Sequence, residues 1–165
     1  MQILIISGVS GSGKTTVGSL LAQELGWIFL DADDFHPPEN REKMRQGIPL
    51  TDADRHGWLL RLAALIQTHL RDHRPVVLAC SALKEHYRKL LQGSAPEAIG
   101  WVFLHGSPAE LEARLQRRTH AFMNPSLLAS QLAALEAPQD PATLQLQIST
   151  PPPDLVQQIR QHFRL

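Results

Sequence analysis

The chain has 165 residues, with 43% hydrophobic and 19% charged side chains, a balance that fits one globular domain with a sheet-centred core and excludes a disordered or fibrous polymer. Sixteen basic and sixteen acidic residues cancel. Without a net positive field the chain has nothing to gather nucleic acid or an anionic membrane, so neither is expected as a partner, and any anion binding has to come from a local site.

The first element is the apolar run Gln2–Ser7, read as a strand. Its core, Ile3 to Ile6, lacks the basic lead and cleavage signal of a secretory peptide, and no later run has the length to cross a bilayer, so a cytoplasmic enzyme is expected. Gly8-Val9-Ser10-Gly11-Ser12-Gly13-Lys14-Thr15 follows and matches GxxxxGK[ST] between that strand and a helix over 14–25, the context a phosphate-binding loop requires. The glycines let the backbone wrap a phosphate without a Cβ in the way, and the helix adds its positive end. Gly8, Ser10, Gly11, Ser12, Gly13, Lys14, Thr15 and Thr16 are the expected nucleotide contacts. Lys14 should reach the β- and γ-phosphates of ATP, and the Thr15 hydroxyl should ligate Mg²⁺.

The second strand, Trp27–Asp31, closes in Asp31-Ala32-Asp33. Residues two apart on a strand face one side, so both carboxylates are expected in the crevice at the carboxyl ends of the strands, where the phosphate loop opens. Asp31 is the expected metal partner, through water. Asp33 is the expected group that orients the attacking hydroxyl or takes its proton, although an aspartate after a strand also serves simply to cap a turn. Residues 32–51 are polar, proline-marked and irregular, as binding loops are, and the substrate segment is placed at about 32–60.

A helix over 52–73 follows, with Asp52 and Asp54 at its negative-preferring start. His69 and His73 are four apart, but Leu70 replaces the glutamate of HExxH and no third ligand is evident, so they read as an exposed helix end. The third strand, Pro75–Cys80, does not end in the acidic residue that most water-activating ATPases carry, and no Asn-Lys-x-Asp guanine-reading motif occurs. Transfer to a bound acceptor is favoured over hydrolysis. Cys80, the lone cysteine, excludes an intrachain disulfide and reads as a small buried hydrophobe. The remaining pattern is a helix over 83–92, a strand Ile99–His105, a helix over 107–117 announced by Ser107-Pro108, helices over 125–136 and 153–163, and a strand Leu144–Ser149 between them. Residues 118–126, with Arg118, Thr119, His120 and Asn124, form a second irregular stretch, and a lid is placed at about 114–126. Alternating strands and helices imply an α/β fold with a parallel sheet covered on both faces, in a single domain over 1–165.

Three blocks make the pattern more specific. Asp31-x-Asp33-x-x-His36-Pro37-x-x-Asn40-x-x-Lys43-Met44 leads into Gly47-x-Pro49-Leu50-x-Asp52-x-Asp54-Arg55-x-x-Trp58-Leu59. Cys80-Ser81-Ala82-Leu83-Lys84-x-x-Tyr87-Arg88 follows, and then Ser130-Gln131 with Leu135-Glu136-x-Pro138. In register from about residue 3 to 140, these blocks resemble the gluconate kinase (gluconokinase) family of P-loop small-molecule kinases. The resemblance implies a nucleoside-kinase-like three-layer fold with a five-stranded parallel sheet flanked by helices. It also implies ATP with Mg²⁺, phosphoryl transfer to the 6-hydroxyl of D-gluconate, and a homodimer.

Gluconate is an anionic polyol, so its site needs a cation and several hydrogen-bonding groups. Asp33, His36, Lys43, Asp54, Arg55, Lys84 and Arg88 are the expected substrate contacts, with Arg55 the strongest candidate for the carboxylate because a guanidinium binds bidentately. Trp58 reads equally as core. Arg114 is assigned to the nucleotide and Arg118 aligns with the family's lid arginine; Lys14, Asp33, Lys84 and Arg118 make up the expected catalytic set. The family's Arg-x-Gly-His-Phe becomes Arg118-Thr119-His120-Ala121-Phe122, a departure in the lid. Two alternatives stand beside this reading. One is a related shikimate or nucleotide kinase, against which Cys80-Ser81-Ala82 replaces the shikimate kinase glycine triplet. The other is a nucleotide-binding protein without transfer chemistry.

Overall fold

Five short strands form one sheet in the order β2-β3-β1-β4-β5, every neighbouring pair parallel, in a computed structural model that describes residues 1–117 and 126–165. The strands are β1 (Ile3–Ser7), β2 (Ile28–Asp31), β3 (Val76–Ala79), β4 (Ile99–His105) and β5 (Leu144–Gln147). β1 lies at the centre because Ile3, Leu4, Ile5 and Ile6 are apolar on both faces and fully buried, as a strand covered by helices on two sides must be. The chain steps outward from β1 to β2, returns through β3, and then crosses β1 to reach β4. The strand order therefore reverses at β1, and the crevice at its carboxyl end is where such sheets hold ligands.

Around the sheet run α1 (Lys14–Leu25), α2 (Pro38–Arg45), α3 (Asp52–Arg71), α4 (Glu85–Gln92), α5 (Pro108–Gln116), α6 (Leu127–Ala134) and α7 (Pro152–Phe163). Local chemistry sets their starts. Thr51 and Asp54 form a reciprocal capping box at α3, as Ser107 and Glu110 do at α5, where Pro108 takes the first helical position. α1 packs against β2, β3 and α7, while α3 packs against α4. Among the described residues no helix is long and apolar enough to cross a membrane.

Among the described residues three short elements differ from the sequence expectation, a 3₁₀ turn at Pro96–Ala98 and two elements within 32–51. Residues 32–35 form a 3₁₀ turn, and 38–45 form α2 rather than irregular chain. α2 buries only Asn40 and Met44, one i,i+4 pair, which is too narrow a stripe to register as helical periodicity. Met44 joins Leu50 and Leu127 in a small hydrophobic cluster apart from the main core, so α2 and α6 meet over the sheet's carboxyl end. Most of the expected lid, 118–125 with Arg118, lies outside the described residues.

Candidate active site

The phosphate loop is shaped by backbone that only glycine tolerates. Gly8 has φ 145°, and a Cβ there would sit 2.6 Å from the Leu104 carbonyl oxygen and 2.7 Å from Ser12 Oγ. Gly13, with φ 92°, turns the chain into α1 as its N-cap. Ser12 is buried, and its hydroxyl has no hydrogen-bond partner among the described residues, a costly state that a phosphate oxygen would relieve. Lys14 Nζ donates to the Val9 carbonyl at 3.0 Å, folding the side chain back over the loop. Beside the loop a cavity of about 180 Å³ is lined by Gly11, Gly13, Thr16, Arg114, Thr150 and Pro152 among others. Arg114 Nη2 donates to the Ile148 carbonyl, which fixes the guanidinium between α5 and the loop.

The Thr15 hydroxyl donates to Asp31 Oδ2 at 2.8 Å. β2 ends at Asp31, level with Ala79 of β3 and hence with Ile6 of β1, so this carboxylate reaches the start of α1 directly. Among the described residues no three His, Cys, Asp or Glu side chains cluster as a metal cage. A hydroxyl and one carboxylate, with water and phosphate oxygens completing the shell, is the donor set Mg²⁺ prefers, and this pair fits it.

Asp33 approaches from the 3₁₀ turn rather than the strand. Its backbone N–H donates to Asp31 Oδ1 at 3.0 Å, so the two carboxylates converge through a turn and not through strand alternation. The Asp33 side chain keeps 40% of its surface accessible, yet it sits low in the crevice. Desolvation pushes its carboxyl above the usual range, and the Lys14 ammonium opposes that shift. Behind it is a cavity of about 30 Å³ lined by Asp33, His36, Arg55, Ser81 and Gln131 among others. His36 is buried and stacks on Trp58 with ring centroids 4.2 Å apart, and Trp58 is itself held by an Nε1 bond to the Ala32 carbonyl at 2.8 Å. Burial first, then the Arg55 and Arg41 charges, hold His36 down at about 4, so it is neutral at physiological pH.

The family model described as shikimate kinase matches residues 10–149, so the chain belongs to the group that model describes. A gluconokinase from Gluconobacter oxydans (strain 621H) is 44% identical over 164 residues, covering 99% of this chain and 92% of its own length. The chain belongs to the gluconokinase family. Solved structures agree. A gluconokinase from Sinorhizobium meliloti 1021 superposes with a TM-score of 0.85 at 43% identity, over 98% of this chain and 90% of that one. A sugar kinase from Janibacter sp. HTCC2649 does so with a TM-score of 0.92 at 38% identity, over 99% and 95%.

In this gluconokinase-family chain the expected site residues divide into two groups. Lys14, Thr15, Asp31, Asp33, His36 and Arg55 converge on the crevice, with Arg114 beside the phosphate loop. Lys43 and Asp54 pair with each other at 2.9 and 3.0 Å, joining α2 to α3, and that bond with the cap holds Asp54 down at about 2. Lys84 bonds Asp52 at 2.9 Å; Tyr87 donates to the same oxygen and is the larger cause of the Asp52 carboxyl lying at about 2. Arg55 Nη1 donates to the Tyr87 hydroxyl at 3.3 Å, and Arg55 so links this network to the cavity behind Asp33. Arg88 donates to the Ala82 and Leu83 carbonyls and lines a separate cavity of about 350 Å³ under α4. Cys80 is buried, and burial pushes its thiol up to about 12, the state of an inert core residue.

One residue the sequence reading left without a role is Gln131. It is buried on α6, lines the cavity behind Asp33, and its Oε1 accepts from the Ser10 N–H of the phosphate loop at 2.7 Å. Its only sequence signal was the Ser130-Gln131 block; nothing in spacing alone tied it to residue 10.

Proposed function

We propose that this chain is an ATP-dependent gluconokinase that transfers the γ-phosphoryl group to the 6-hydroxyl of D-gluconate. The observation that carries the reading is the adjacency of two half-sites. Lys14 and the Thr15–Asp31 pair mark the nucleotide side, while Asp33, within the Lys14 field, faces a cavity built from the family's own distinguishing residues. The names of the relatives support gluconate over other acceptors.

In this reading the loop amides and Lys14 bind the triphosphate, and Arg114 flanks it. Thr15 and, through water, Asp31 would hold Mg²⁺, which would supply charge neutralisation on the phosphate oxygens. Asp33 orients the acceptor hydroxyl and takes its proton as the alcohol oxygen forms the new P–O bond and the bond to the ADP oxygen breaks. Arg55 is assigned the gluconate carboxylate. Lys84, which pairs with Asp52 in this structure, is assigned to the substrate or the transferring phosphate, and Arg118 to the departing charge. Catalysis is then mainly positioning and electrostatic stabilisation. We assign residues 1–165 to one kinase domain, acting as a homodimer.

Coupled ADP release with ATP·Mg²⁺ and a panel of gluconate, other sugar acids, shikimate and nucleoside monophosphates tests the substrate. Stimulation by gluconate is expected. Stimulation by shikimate or a nucleotide alone would replace the reading, and nucleotide binding with no stimulation by any acceptor would leave a binding protein. Light scattering on the purified protein tests the dimer.

A further inference from the structure

Behind the acceptor cavity lies a buried chain of hydrogen bonds that the roles above do not use. Asn40 is 4% exposed and donates from Nδ2 to the Asp54 carbonyl at 2.8 Å. A carbonyl only accepts, so the amide is held with its nitrogen toward that oxygen. The same nitrogen lies 3.3 Å from His36 Nδ1. An amide NH₂ only donates, so Nδ1 has to accept, and in a neutral imidazole the proton then sits on Nε2. The Trp58 stack fixes the ring plane. Nε2 is 4.0 Å from Asp33 Oδ1. That is too long for a direct bond, but one oxygen about 2.8 Å from each atom spans it. Such an oxygen must accept from Nε2–H and donate to a carboxylate. A hydroxyl does both; a carboxylate cannot donate and an ammonium cannot accept.

We propose that Asn40 is a positioning residue that fixes His36 as the Nε2–H tautomer, and that this N–H and the Asp33 carboxylate together recognise one hydroxyl of the acceptor. The hydroxyl half of the proposal rests on reading the cavity as the acceptor site; the tautomer half does not. The charged groups facing the imidazole are Asp33 from the 3₁₀ turn, Arg41 from α2 and Arg55 from α3, and the two cations reinforce the neutral ring. A protonated ring would need both nitrogens to donate, and Nδ1 already faces a donor.

The test combines a spectrum with a mutant cycle. Two-bond ¹H–¹⁵N correlations of the His36 imidazole should show the Nε2–H pattern, unchanged from about pH 5.5 to 8. Asn40→Asp puts an acceptor against Nδ1, so His36 should turn to Nδ1–H or ionise. kcat/KM for gluconate should then fall on the order of 100-fold, with a new ionisation in its pH profile and KM for ATP unchanged. His36→Gln retains an amide donor of similar reach and has no tautomers to set. In that background Asn40→Asp should cost clearly less than it does in the wild type, the remainder reporting its lost bond to the Asp54 carbonyl. An Nδ1–H or cationic His36 in the wild type, or an equal cost of Asn40→Asp with Gln at 36, overturns the proposal. Should the wild type show Nε2–H, flipped by Asn40→Asp, yet turn over no gluconate, the functional reading falls and the hold of Asn40 on the tautomer stands.

Discussion

In the proposed mechanism Lys14 serves the phosphate and Asp33, within its field, the alcohol, and each has a distinct consequence when altered. Lys14→Ala removes the one flexible cation of the phosphate loop. It should lower kcat by at least about 100-fold, since charge developing on the transferred group loses its fixed partner. Asp33→Asn keeps the shape and the loop intact but cannot take a proton. It should abolish gluconate-stimulated turnover while nucleotide affinity, measured by calorimetry, stays within about 3-fold of wild type. The placing of both residues in one crevice was legible in the sequence because their motifs are contiguous. The bonds that Lys43, Asp54 and Arg88 make within the chain were not, because a charged side chain in a binding segment reads the same whether it faces the ligand or a neighbouring helix. Only the packing shows Lys43 and Asp54 spending their charges on each other and Arg88 on two carbonyls. The hold of Gln131 on the phosphate loop was not legible for another reason: its partner at Ser10 lies 121 residues away.

At the scale of elements, the acceptor side depends on how α3 begins. The Thr51 hydroxyl accepts from the Asp54 N–H at 3.1 Å, and Asp54 Oδ2 accepts from the Thr51 N–H at 2.9 Å, while the Asp54 carbonyl anchors Asn40. Losing an N-cap costs about 1 kcal/mol. In a protein of this size Thr51→Ala should therefore lower Tm by about 2–4 °C, read by thermal unfolding with and without nucleotide. The starts of α1, α3 and α5 were readable because the end of the phosphate loop, the acidic pair Asp52 and Asp54, and Ser107-Pro108 announce them; the Thr51 cap was not read. α2 and the 3₁₀ turn were not, since polar residues fill their exposed faces and little apolar surface is left to set a period. The Asp31–Asp33 convergence was anticipated for the wrong geometric reason: strand alternation was expected, and a side-chain-to-backbone bond across a turn achieves it.

For the whole molecule, the sheet order follows from burial. The doubly apolar run of β1 takes the centre, and the strand reversal beside it opens the crevice in which the phosphate loop, Asp31 and Asp33 lie. A buried neutral histidine in that crevice links the site to global stability. His36 lies at about 4 in the folded chain and near 6.5 when unfolded. The unfolded chain therefore binds more protons between those values, and stability contributed by His36 is complete above about pH 6.5 and lost as pH falls toward 4. The full difference is on the order of 3 kcal/mol. Asp33 acts in the opposite sense, because its folded carboxyl is pushed up and protonation relieves its burial. The informative quantity is thus the unfolding free energy of the wild type minus that of His36→Gln, measured by urea titration across pH 4–7. That difference should grow less favourable to the wild type as pH drops through this window and flatten above it. A difference independent of pH would mean that His36 gains a proton in the folded chain as easily as in the unfolded one, and that the stack on Trp58 and the bond from Asn40 do not hold it neutral.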